Sequence, residues 1–500
     1  MEQNLKRYSK SESYQKRSIW LFTFISMTFV VEMISTICHS GIMAFHSETI
    51  SMYQKEAMLQ CDKNSVIPGD IFDRNDTILV SHNAPISKDR GNYIDTEMYS
   101  TILGYHSNSS SSMWLLQKYD DLLRQTPKLD DTKGNSIKLT LEHKLQTKTY
   151  HVLKELAGIH GRASAVVMDA ESGAILSMVS LPTFNVSDLN NEMKWMLDDK
   201  KSGGVWYPFA FNGKETPPGS TFKILSAMTL LENGYEKHTE LDNAFTTAGG
   251  YTIHNYYKNT DKHIGYAEAL KISSNIFFSK SFISIPKGKE KLTQMAKKFY
   301  IGEELICDFG KLTGTWTMDK SVLAALQKNA GTKGFDMEYA LGASAFGQAD
   351  VRVSATQMAM IVSAVINGGN LVYPYMVKEV IDCNGTVLDL DNLQIEGLTN
   401  THEQTQVVSK KTAQKICKAL QEAAQTYGFS PVLQVAAKSG TAQTGINGNA
   451  GNVCWMVSSA KFHGQKYAIV INCTGVAGIV AGKQLRKPIE QIYQFLFSAE

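Results

Sequence analysis

The sequence predicts an α+β protein: an antiparallel sheet flanked by helices, preceded by a small domain and an N-terminal transmembrane helix. From about residue 160, runs with strand and helix character mix without the regular alternation of a parallel sheet. Two β-rich runs, Val453–Ser458 and Tyr467–Cys473, lie on either side of His463-Gly464 and predict a hairpin. The run from Ile19 to Cys38 is almost wholly apolar and is about long enough to cross a bilayer.

The N-terminal segment is predicted to be an uncleaved membrane anchor. Basic residues precede the apolar run, so its N-terminal side should face the cytoplasm; they are Lys6, Arg7, Lys10, Lys16 and Arg17. The segment is longer than the apolar core of a signal peptide that is removed. Residues 1–18 are therefore predicted to form a cytoplasmic tail and residues 19–43 a single span of the cell membrane, with the rest of the chain extracytoplasmic.

The extracytoplasmic part is predicted to divide near residue 155. Residues 44–155 are polar and rich in turn residues, which predicts a small non-catalytic domain. Ile137–Leu141 alternates like a strand, and Gln146–Leu156 has the spacing of a helix that leads into a domain of residues 156–500. Pro488–Phe497 predicts a closing helix. A hydrophobic content of 43% suffices for a core, and a net charge of +2 gives no nucleic-acid signature.

Three short motifs carry the chemistry of the second domain. Ser220-Thr221-Phe222-Lys223 reads S-x-x-K, Ser273-Ser274-Asn275 reads S-x-N, and Lys438-Ser439-Gly440 reads K-[ST]-G. S-x-x-K also occurs by chance at Ser13, Ser284 and Ser458, but Ser220 alone follows a Pro-Pro-Gly turn and opens an apolar helical stretch. The ordered set predicts a serine acyl-transferase.

The residue types fit that chemistry. A serine hydroxyl needs an adjacent base, and residues i and i+3 share a helix face, so Lys223 can lie beside Ser220. Lys223 must be uncharged to accept a proton, which burial and a second cation favour, and Lys438 is the candidate for that cation. Two alternatives remain open from the residues alone: Lys438 as a solvated edge-strand lysine, and Asn275 as the cap of a helix.

Beyond these motifs the chain resembles the class B penicillin-binding proteins, which are membrane-anchored peptidoglycan D,D-transpeptidases. The similarity extends over about residues 65 to 480. It includes segments similar to the family's R-G-x-I-x-D-R-N-G box, first strand pair, G-Q-G block and N-G-G turn; here these are Gly69–Asn75, Ala165–Met178, Phe346–Gln348 and Asn367–Gly369.

The resemblance implies roles for the motif residues. Ser220 would be the nucleophile, Lys223 its base, and Ser273 a proton relay, while the Asn275 amide would hold the substrate backbone. Lys438 and the hydroxyls of Ser439 and Thr441 would bind the terminal carboxylate, and Gly440 would let a ligand approach closely. Backbone N–H groups of Ser220 and Thr441 would form the oxyanion hole.

Some positions depart from the family pattern. Pro68 stands where the first box has arginine, and Asp76 where glycine is usual. Ala349 replaces the last glycine of G-Q-G, and Ser354-Ala355 stands in place of Thr-Pro. These changes leave the chemical groups in place and indicate a divergent or specialised member.

The function that the resemblance implies is cross-linking of peptidoglycan stem peptides through a Ser220 acyl-enzyme that β-lactams also form. A D,D-carboxypeptidase and a non-catalytic cell-wall scaffold of the same fold are the alternatives. A β-lactamase and a β-lactam sensor are disfavoured by the anchor with its small domain and by the absence of an H-E-x-x-H motif. The role in division, elongation or sporulation stays open.

The sequence gives fewer indications of partners and cofactors. Glu32 lies inside the predicted span, where an ionisable group indicates either a buried partner or a position near the interface. If it has a partner, the resemblance implies a peptidoglycan polymerase of the SEDS type. No metal or cofactor is expected, because the seven cysteines are scattered without a C-x-x-C pair. Cys454 and Cys473 are predicted to face each other across the hairpin as reduced thiols.

Overall fold

The structure is a computed structural model. It describes residues 65–84, 91–106, 113–126, 132–158, 161–198, 205–206, 208–330, 334–444 and 451–498. The predicted tail and anchor, residues 1–43, lie outside the described residues, as does the stretch from 44 to 64. Among the helices that are described, none is long and apolar enough to cross a membrane.

An antiparallel five-stranded sheet forms the centre of the described fold. Its strand order is β17 (Ala436–Thr444), β18 (Gly451–Phe462), β19 (Gln465–Thr474), β5 (Arg162–Asp169) and β6 (Ile175–Leu181). The predicted hairpin is confirmed: β18 and β19 are joined at His463 and Gly464, whose φ angles of 46° and 89° suit a tight two-residue turn. Cys454 pairs with Cys473 in this register, and both are free thiols.

Helices cover this sheet, since β5, β18 and β19 are buried along consecutive residues and not only on alternate ones. Helix α11 packs against β5, β18 and β19, while α3 packs against β5 and β6 and contacts the closing helix α13. The helices are α1 (Trp114–Lys118), α2 (Asp120–Leu123), α3 (His143–Ala157), α4 (Leu189–Met196), α5 (Lys223–Glu232), α6 (Tyr266–Ile272), α7 (Asn275–Ser284), α8 (Gly288–Lys298), α9 (Lys320–Lys328), α10 (Met337–Ser344), α11 (Ala355–Ile366), α12 (Lys410–Tyr427) and α13 (Arg486–Ser498).

A second, six-stranded sheet joins the two halves of the chain. Its order is β15 (Val387–Leu388), β14 (Val377–Ile381), β4 (Ser136–Leu139), β1 (Ile71–Phe72), β2 (Ile78–Ser81) and β3 (Asn92–Tyr93). Strand β14 pairs with β4 through Val380 and Ile137, so main-chain hydrogen bonds cross the predicted boundary near residue 155. The sequence showed the strand at Ile137 but not its distant partner.

The remaining strands form short two-stranded ribbons around the helices. They pair β7 with β10, β8 with β9, β11 with β12 and β13 with β16; their bounds are β7 (Glu240–Leu241), β8 (Phe245–Thr246), β9 (Thr252–Ile253), β10 (His263–Ile264), β11 (Leu305–Cys307), β12 (Gly310–Leu312), β13 (Asn370–Val372) and β16 (Gln404–Gln406). Helix α5 is buried from Lys223 to Leu230, which explains its almost wholly apolar sequence. The candidate site lies where α5 meets the edge strand β17 and the α6–α7 turn.

The buried Asp308 carboxylate holds the start of β14. It accepts hydrogen bonds from the backbone N–H groups of Met376, at 2.8 Å, and Val377, at 2.5 Å. Burial raises the pKa of this carboxyl from 3.8 to about 7, although those N–H groups and Lys118 favour the charged form. Between these two pKa values the folded chain holds a proton that the unfolded chain has released, so the contribution of Asp308 to stability falls as the pH rises.

We therefore expect the free energy of unfolding of the wild type to fall, relative to that of Asp308→Asn, as the pH rises from about 5 to about 7. The slope should approach about 1.4 kcal/mol per pH unit. Urea unfolding of the full chain in mild detergent measures it. Asp382→Asn is the matched control, because Asp382 begins a turn and its pKa is lowered by backbone hydrogen bonds. A pH-independent difference for Asp308→Asn would contradict the prediction.

Candidate active site

Ser220 stands in a short 3-10 turn, Gly219–Phe222, that runs directly into α5. Two hydrogen bonds from outside the helix fix this turn. Gly219 donates its N–H to the Gly347 carbonyl at 2.9 Å, and Trp455 Nε1 donates to the Pro217 carbonyl at 2.8 Å. Gly219 has a φ of 53°, which favours glycine, and a Cβ there would lie 3.1 Å from Thr441. The nucleophile turn is thus held against β17.

The Lys223 amine lies at the centre of the site, on a fully buried side chain. Its Nζ is 2.8 Å from Ser220 Oγ, 2.7 Å from the Ser273 carbonyl, 2.8 Å from Asn275 Oδ1 and 3.2 Å from Ser273 Oγ. The carbonyl and the amide oxygen can only accept hydrogen bonds. A neutral amine has two N–H groups, which these two acceptors use, and its lone pair then faces the Ser220 hydroxyl. The geometry therefore fits Lys223 as a base for Ser220.

Electrostatics favour the same protonation state. The pKa of Lys223 lies well below its ordinary value, because burial penalises the ammonium form and the nearby Lys438 repels it; Asp242 acts in the opposite direction with less effect. An uncharged lysine is what general-base activation of a serine requires.

The α6–α7 turn supplies Ser273 and Asn275. Ser273 ends α6 in the left-handed region with a φ of 62°, and Asn275 is the first residue of α7. The interpretation of Asn275 as a helix cap is wrong, because Ser274 caps α7 by accepting the Phe277 N–H at 2.9 Å. The Asn275 side chain instead donates to the His254 carbonyl at 3.0 Å, which directs its oxygen at Lys223.

Two residues that the sequence did not single out hold this turn. Asp242, fully buried, accepts from Ser274 Oγ at 2.6 Å and from Asn255 Nδ2 at 2.9 Å. Asn255 Oδ1 in turn accepts the backbone N–H groups of Asn275, at 2.8 Å, and Ile276, at 3.2 Å. These bonds offset the strain of the left-handed Ser273. Neither residue belongs to a recognisable motif, so only the folded chain identifies them.

Lys438 lies on the edge strand β17 but is fully buried, so the interpretation of a solvated edge lysine is wrong. Its Nζ is 3.0 Å from Ser273 Oγ, 2.9 Å from the Ser439 carbonyl and 3.2 Å from the Tyr427 hydroxyl. Ser273 Oγ thus lies between the two lysines, at 3.2 Å from Lys223 Nζ and 3.0 Å from Lys438 Nζ. A proton can pass from one amine to the other through this hydroxyl.

The residues after Lys438 fit closely against the nucleophile turn. Gly440 was predicted to allow close approach of a ligand; the structure shows another close approach, since a Cβ there would lie 2.7 Å from the Pro218 carbonyl and 2.9 Å from Thr221. Thr441 Oγ1 accepts the Gly482 N–H at 3.0 Å, which leaves its hydroxyl proton free to donate. Ser439 is partly buried beside Tyr427. Within the described residues no group of three or more metal-ligating side chains occurs.

Two departures from the glycine pattern fall at left-handed backbone positions. Ala349, which follows the Gly347-Gln348 pair beside the nucleophile turn, has a φ of 58°, and Asp76 has a φ of 65°. Aspartate tolerates this region better than alanine does. Asp76 also forms an ion pair with Lys138 at 2.6 Å. The backbone has kept the shape that glycine would favour, although the residues have changed.

Comparison with known proteins gives consistent results. Residues 163–493 match the family described as the penicillin binding protein transpeptidase domain. The chain is 24% identical over 407 residues to the peptidoglycan D,D-transpeptidase PbpA of Mycolicibacterium smegmatis, and this alignment covers 76% of this chain and 78% of that protein. It is 30% identical over 334 residues to stage V sporulation protein D of Bacillus subtilis, and this alignment covers 62% of this chain and 44% of that protein.

The fold is also shared with a solved structure. Penicillin-binding protein A from M. tuberculosis, as its penicillin G acyl-enzyme complex, aligns with a TM-score of 0.71 at 19% identity, over 87% of this chain and 100% of that one. The described fold is therefore that of the penicillin-binding transpeptidases.

We expect Ala349→Gly to raise the free energy of unfolding by about 0.5–1 kcal/mol, because relief of the left-handed alanine exceeds the entropic cost of glycine. Urea unfolding of the full chain in detergent measures the change. Asp76→Gly is the matched control: it should give no gain, since aspartate tolerates its φ and its ion pair with Lys138 is lost. Loss of stability in Ala349→Gly would show that the alanine is not strained.

Proposed function

Because the chain belongs to the penicillin-binding protein transpeptidase family, we propose that it cross-links peptidoglycan through an acyl-enzyme on Ser220. It is a class B penicillin-binding protein, a serine-type D,D-transpeptidase that binds β-lactams. One observation carries the assignment of the nucleophile: Ser220 Oγ lies 2.8 Å from the buried Lys223 amine. The pKa of that amine is lowered, and its two N–H groups are taken by the Ser273 carbonyl and Asn275 Oδ1, which can only accept hydrogen bonds.

In the acylation step, Ser220 Oγ attacks the carbonyl carbon of the D-Ala–D-Ala peptide bond, and its proton passes to Lys223 Nζ. Negative charge develops on the carbonyl oxygen, where the backbone N–H groups of Ser220 and Thr441 would stabilise it. The C–N bond then breaks as the leaving amine takes a proton by way of Ser273 Oγ. Terminal D-Ala departs and the donor peptide remains esterified to Ser220.

In the second step, an amine of a neighbouring stem attacks the ester. It loses a proton to the Lys223–Ser273 pair, and Ser220 Oγ recovers its proton as the ester bond breaks. Lys438, with Ser439 and Thr441, would hold the donor's terminal carboxylate before D-Ala leaves; a single cation beside two hydroxyls suits one carboxylate. β-Lactams present the same carbonyl and carboxylate, so they acylate the same serine.

Labelling with a fluorescent penicillin tests the assignment. We expect the full chain in detergent to form a stable covalent adduct, and Ser220→Ala and Lys223→Ala to form none above background. Ser284→Ala is the matched control: Ser284 begins a chance S-x-x-K match, but its hydroxyl bonds to Glu240, so labelling should equal that of the wild type. Gel fluorescence and the mass of the modified peptide measure the outcome.

The other outcomes separate the alternatives. An adduct that persists in a folded Ser220→Ala would remove Ser220 as the nucleophile. No adduct on folded wild-type chain would favour a scaffold or a drug-insensitive member. Turnover of the adduct on the labelling time scale would favour hydrolysis, as in a carboxypeptidase or a β-lactamase.

Membrane attachment is a further part of the proposal. The apolar run of residues 19–43, after the basic residues 6–17, supports a single span with a cytoplasmic N-terminus and an extracytoplasmic catalytic domain. Residues 44–155 would form a small pedestal between the two. An ionisable Glu32 inside the span supports contact with a membrane-embedded partner, for which a SEDS-type polymerase is the candidate.

A pair of span variants tests this proposal. We expect the wild type and Glu32→Leu to stay in the membrane fraction after an alkaline carbonate wash, because the leucine only increases apolarity. Co-purification of a SEDS-type polymerase should fall in Glu32→Leu and not in Glu12→Leu, a control in the predicted tail. Release of the wild type by the wash would refute the anchor, and unchanged co-purification would refute the role of Glu32.

A further inference from the structure

Tyr427 lies beside the catalytic lysines although no motif contains it. It is the last residue of α12, which ends at Gly428 with a φ of 90°. Its hydroxyl is 3.2 Å from Lys438 Nζ, and the centre of its ring is 5.8 Å from the same nitrogen. The side chain is partly buried against the core. Its contacts are with the catalytic machinery, and the proposed reaction gives it no role.

The position completes the coordination of Lys438. An ammonium group has three N–H donors. Lys438 has three oxygen neighbours in hydrogen-bonding range, namely Ser273 Oγ, the Ser439 carbonyl and the Tyr427 hydroxyl. The Ser439 carbonyl belongs to the next residue of the same strand, and Ser273 Oγ is also within reach of Lys223. The Tyr427 hydroxyl, at the end of α12, is therefore the neighbour that only Lys438 of the two lysines contacts through a hydrogen bond.

Tyr427 also contacts the edge strand itself. Ser439 lies close enough to the hydroxyl to help lower the pKa of the phenol. On an edge strand, the outward N–H groups belong to alternate residues, so those of residues 439 and 441 point the same way. Tyr427 lies beside Ser439, and the next N–H on that side of the strand belongs to Thr441, which is the group proposed for the oxyanion hole.

We propose that Tyr427 is a positioning residue that fixes Lys438 and Ser439, and so sets the far end of the hydrogen-bonded chain from Lys438 through Ser273 and Lys223 to Ser220. This inference rests on the proposed function. The contacts along that chain measure 3.0, 3.2 and 2.8 Å, so displacement of Lys438 is passed to the base through one hydroxyl. Lys438 also helps to keep Lys223 uncharged, and it can do so only at a fixed distance.

The ionisation of Tyr427 agrees with this arrangement. Burial would raise the pKa of its phenol, but the Lys438 ammonium and the hydrogen bonds from Ser439 together lower it below the ordinary value. Lys438 on β17 is the charged group that faces the hydroxyl, and Arg486, at the start of α13, lies beside the adjoining Gly428. A tyrosine buried without a cationic partner would titrate in the opposite direction.

Tyr427→Phe tests the proposal, because it removes only the hydroxyl. We expect the rate constant of acylation at saturating penicillin to fall about tenfold, the effect of losing one hydrogen bond to a charged group. The dissociation constant of the non-covalent complex should rise by a smaller factor than the rate constant falls, since Tyr427 would act on the ligand only through Lys438 and Ser439. The melting temperature should stay close to that of the wild type. Stopped-flow kinetics of the full chain in detergent give both constants.

Tyr493→Phe is the matched control. Its hydroxyl is fully buried on α13 and bonds to Ser458 Oγ at 3.1 Å, against the same sheet but away from the site. We expect this variant to lose stability and to acylate like the wild type. The proposal is overturned if Tyr427→Phe acylates within about twofold of the wild type, or if its loss of acylation comes with a loss of stability as large as that of Tyr493→Phe.

A measurement without any substrate separates this proposal from the proposed function. The ultraviolet absorbance of phenolate, taken as the difference between wild type and Tyr427→Phe, reports the ionisation of Tyr427 alone. We expect a midpoint below the ordinary tyrosine value of about 10. A midpoint at or above that value would show that Lys438 does not face the hydroxyl, whether or not Ser220 is acylated.

Discussion

The site depends on one electrostatic constraint: the amine of Lys223 must stay uncharged while a second lysine lies one hydroxyl away. Burial of α5 along Lys223–Leu230 supplies the larger part of this effect, and the Lys438 charge supplies the next. Each lysine would be costly to bury alone. Together they are tolerated because the obligate acceptors around Lys223 satisfy a neutral amine, whereas the three oxygens around Lys438 satisfy a charged one. The two protonation states are therefore set by hydrogen-bond capacity as well as by burial.

That arrangement requires main chains to approach one another more closely than side chains allow. A Cβ on Gly347 would lie 2.2 Å from the Gly219 carbonyl, and one on Gly482 would lie 2.2 Å from the Gly440 carbonyl. These glycines bring the nucleophile turn, the edge strand and the turn before α13 into a single layer. A side chain at Gly347 would push against the turn that carries Ser220, and one at Gly482 would push against the strand that carries Thr441. The glycines allow the main chains to approach closely, and the motif residues supply the reactive groups.

The sequence predicted the chemistry and the local elements better than the long-range pairings. The family resemblance, the hairpin with its facing cysteines and the closing helix are confirmed. The pairing of β14 with β4 was not predicted, since strands separated by more than two hundred residues share no local signal. The supports of the α6–α7 turn were missed for a related reason. Asp242 and Asn255 act through geometry, and in the sequence they resemble ordinary turn residues.

Strand β17 has to meet two opposing demands. An edge strand with open N–H groups is a site of unwanted pairing, yet an extended peptide substrate needs an open edge to lie against. The fold meets both by covering the edge at one end only. Helix α12 ends at Tyr427, whose hydroxyl lies 3.2 Å from Lys438 Nζ on β17, while the strand continues past Thr441 to Thr444. A helix one turn shorter would therefore leave Lys438 without its third acceptor. The end of a helix outside every motif thus supports the lysine that is linked to Ser220 through Ser273 and Lys223.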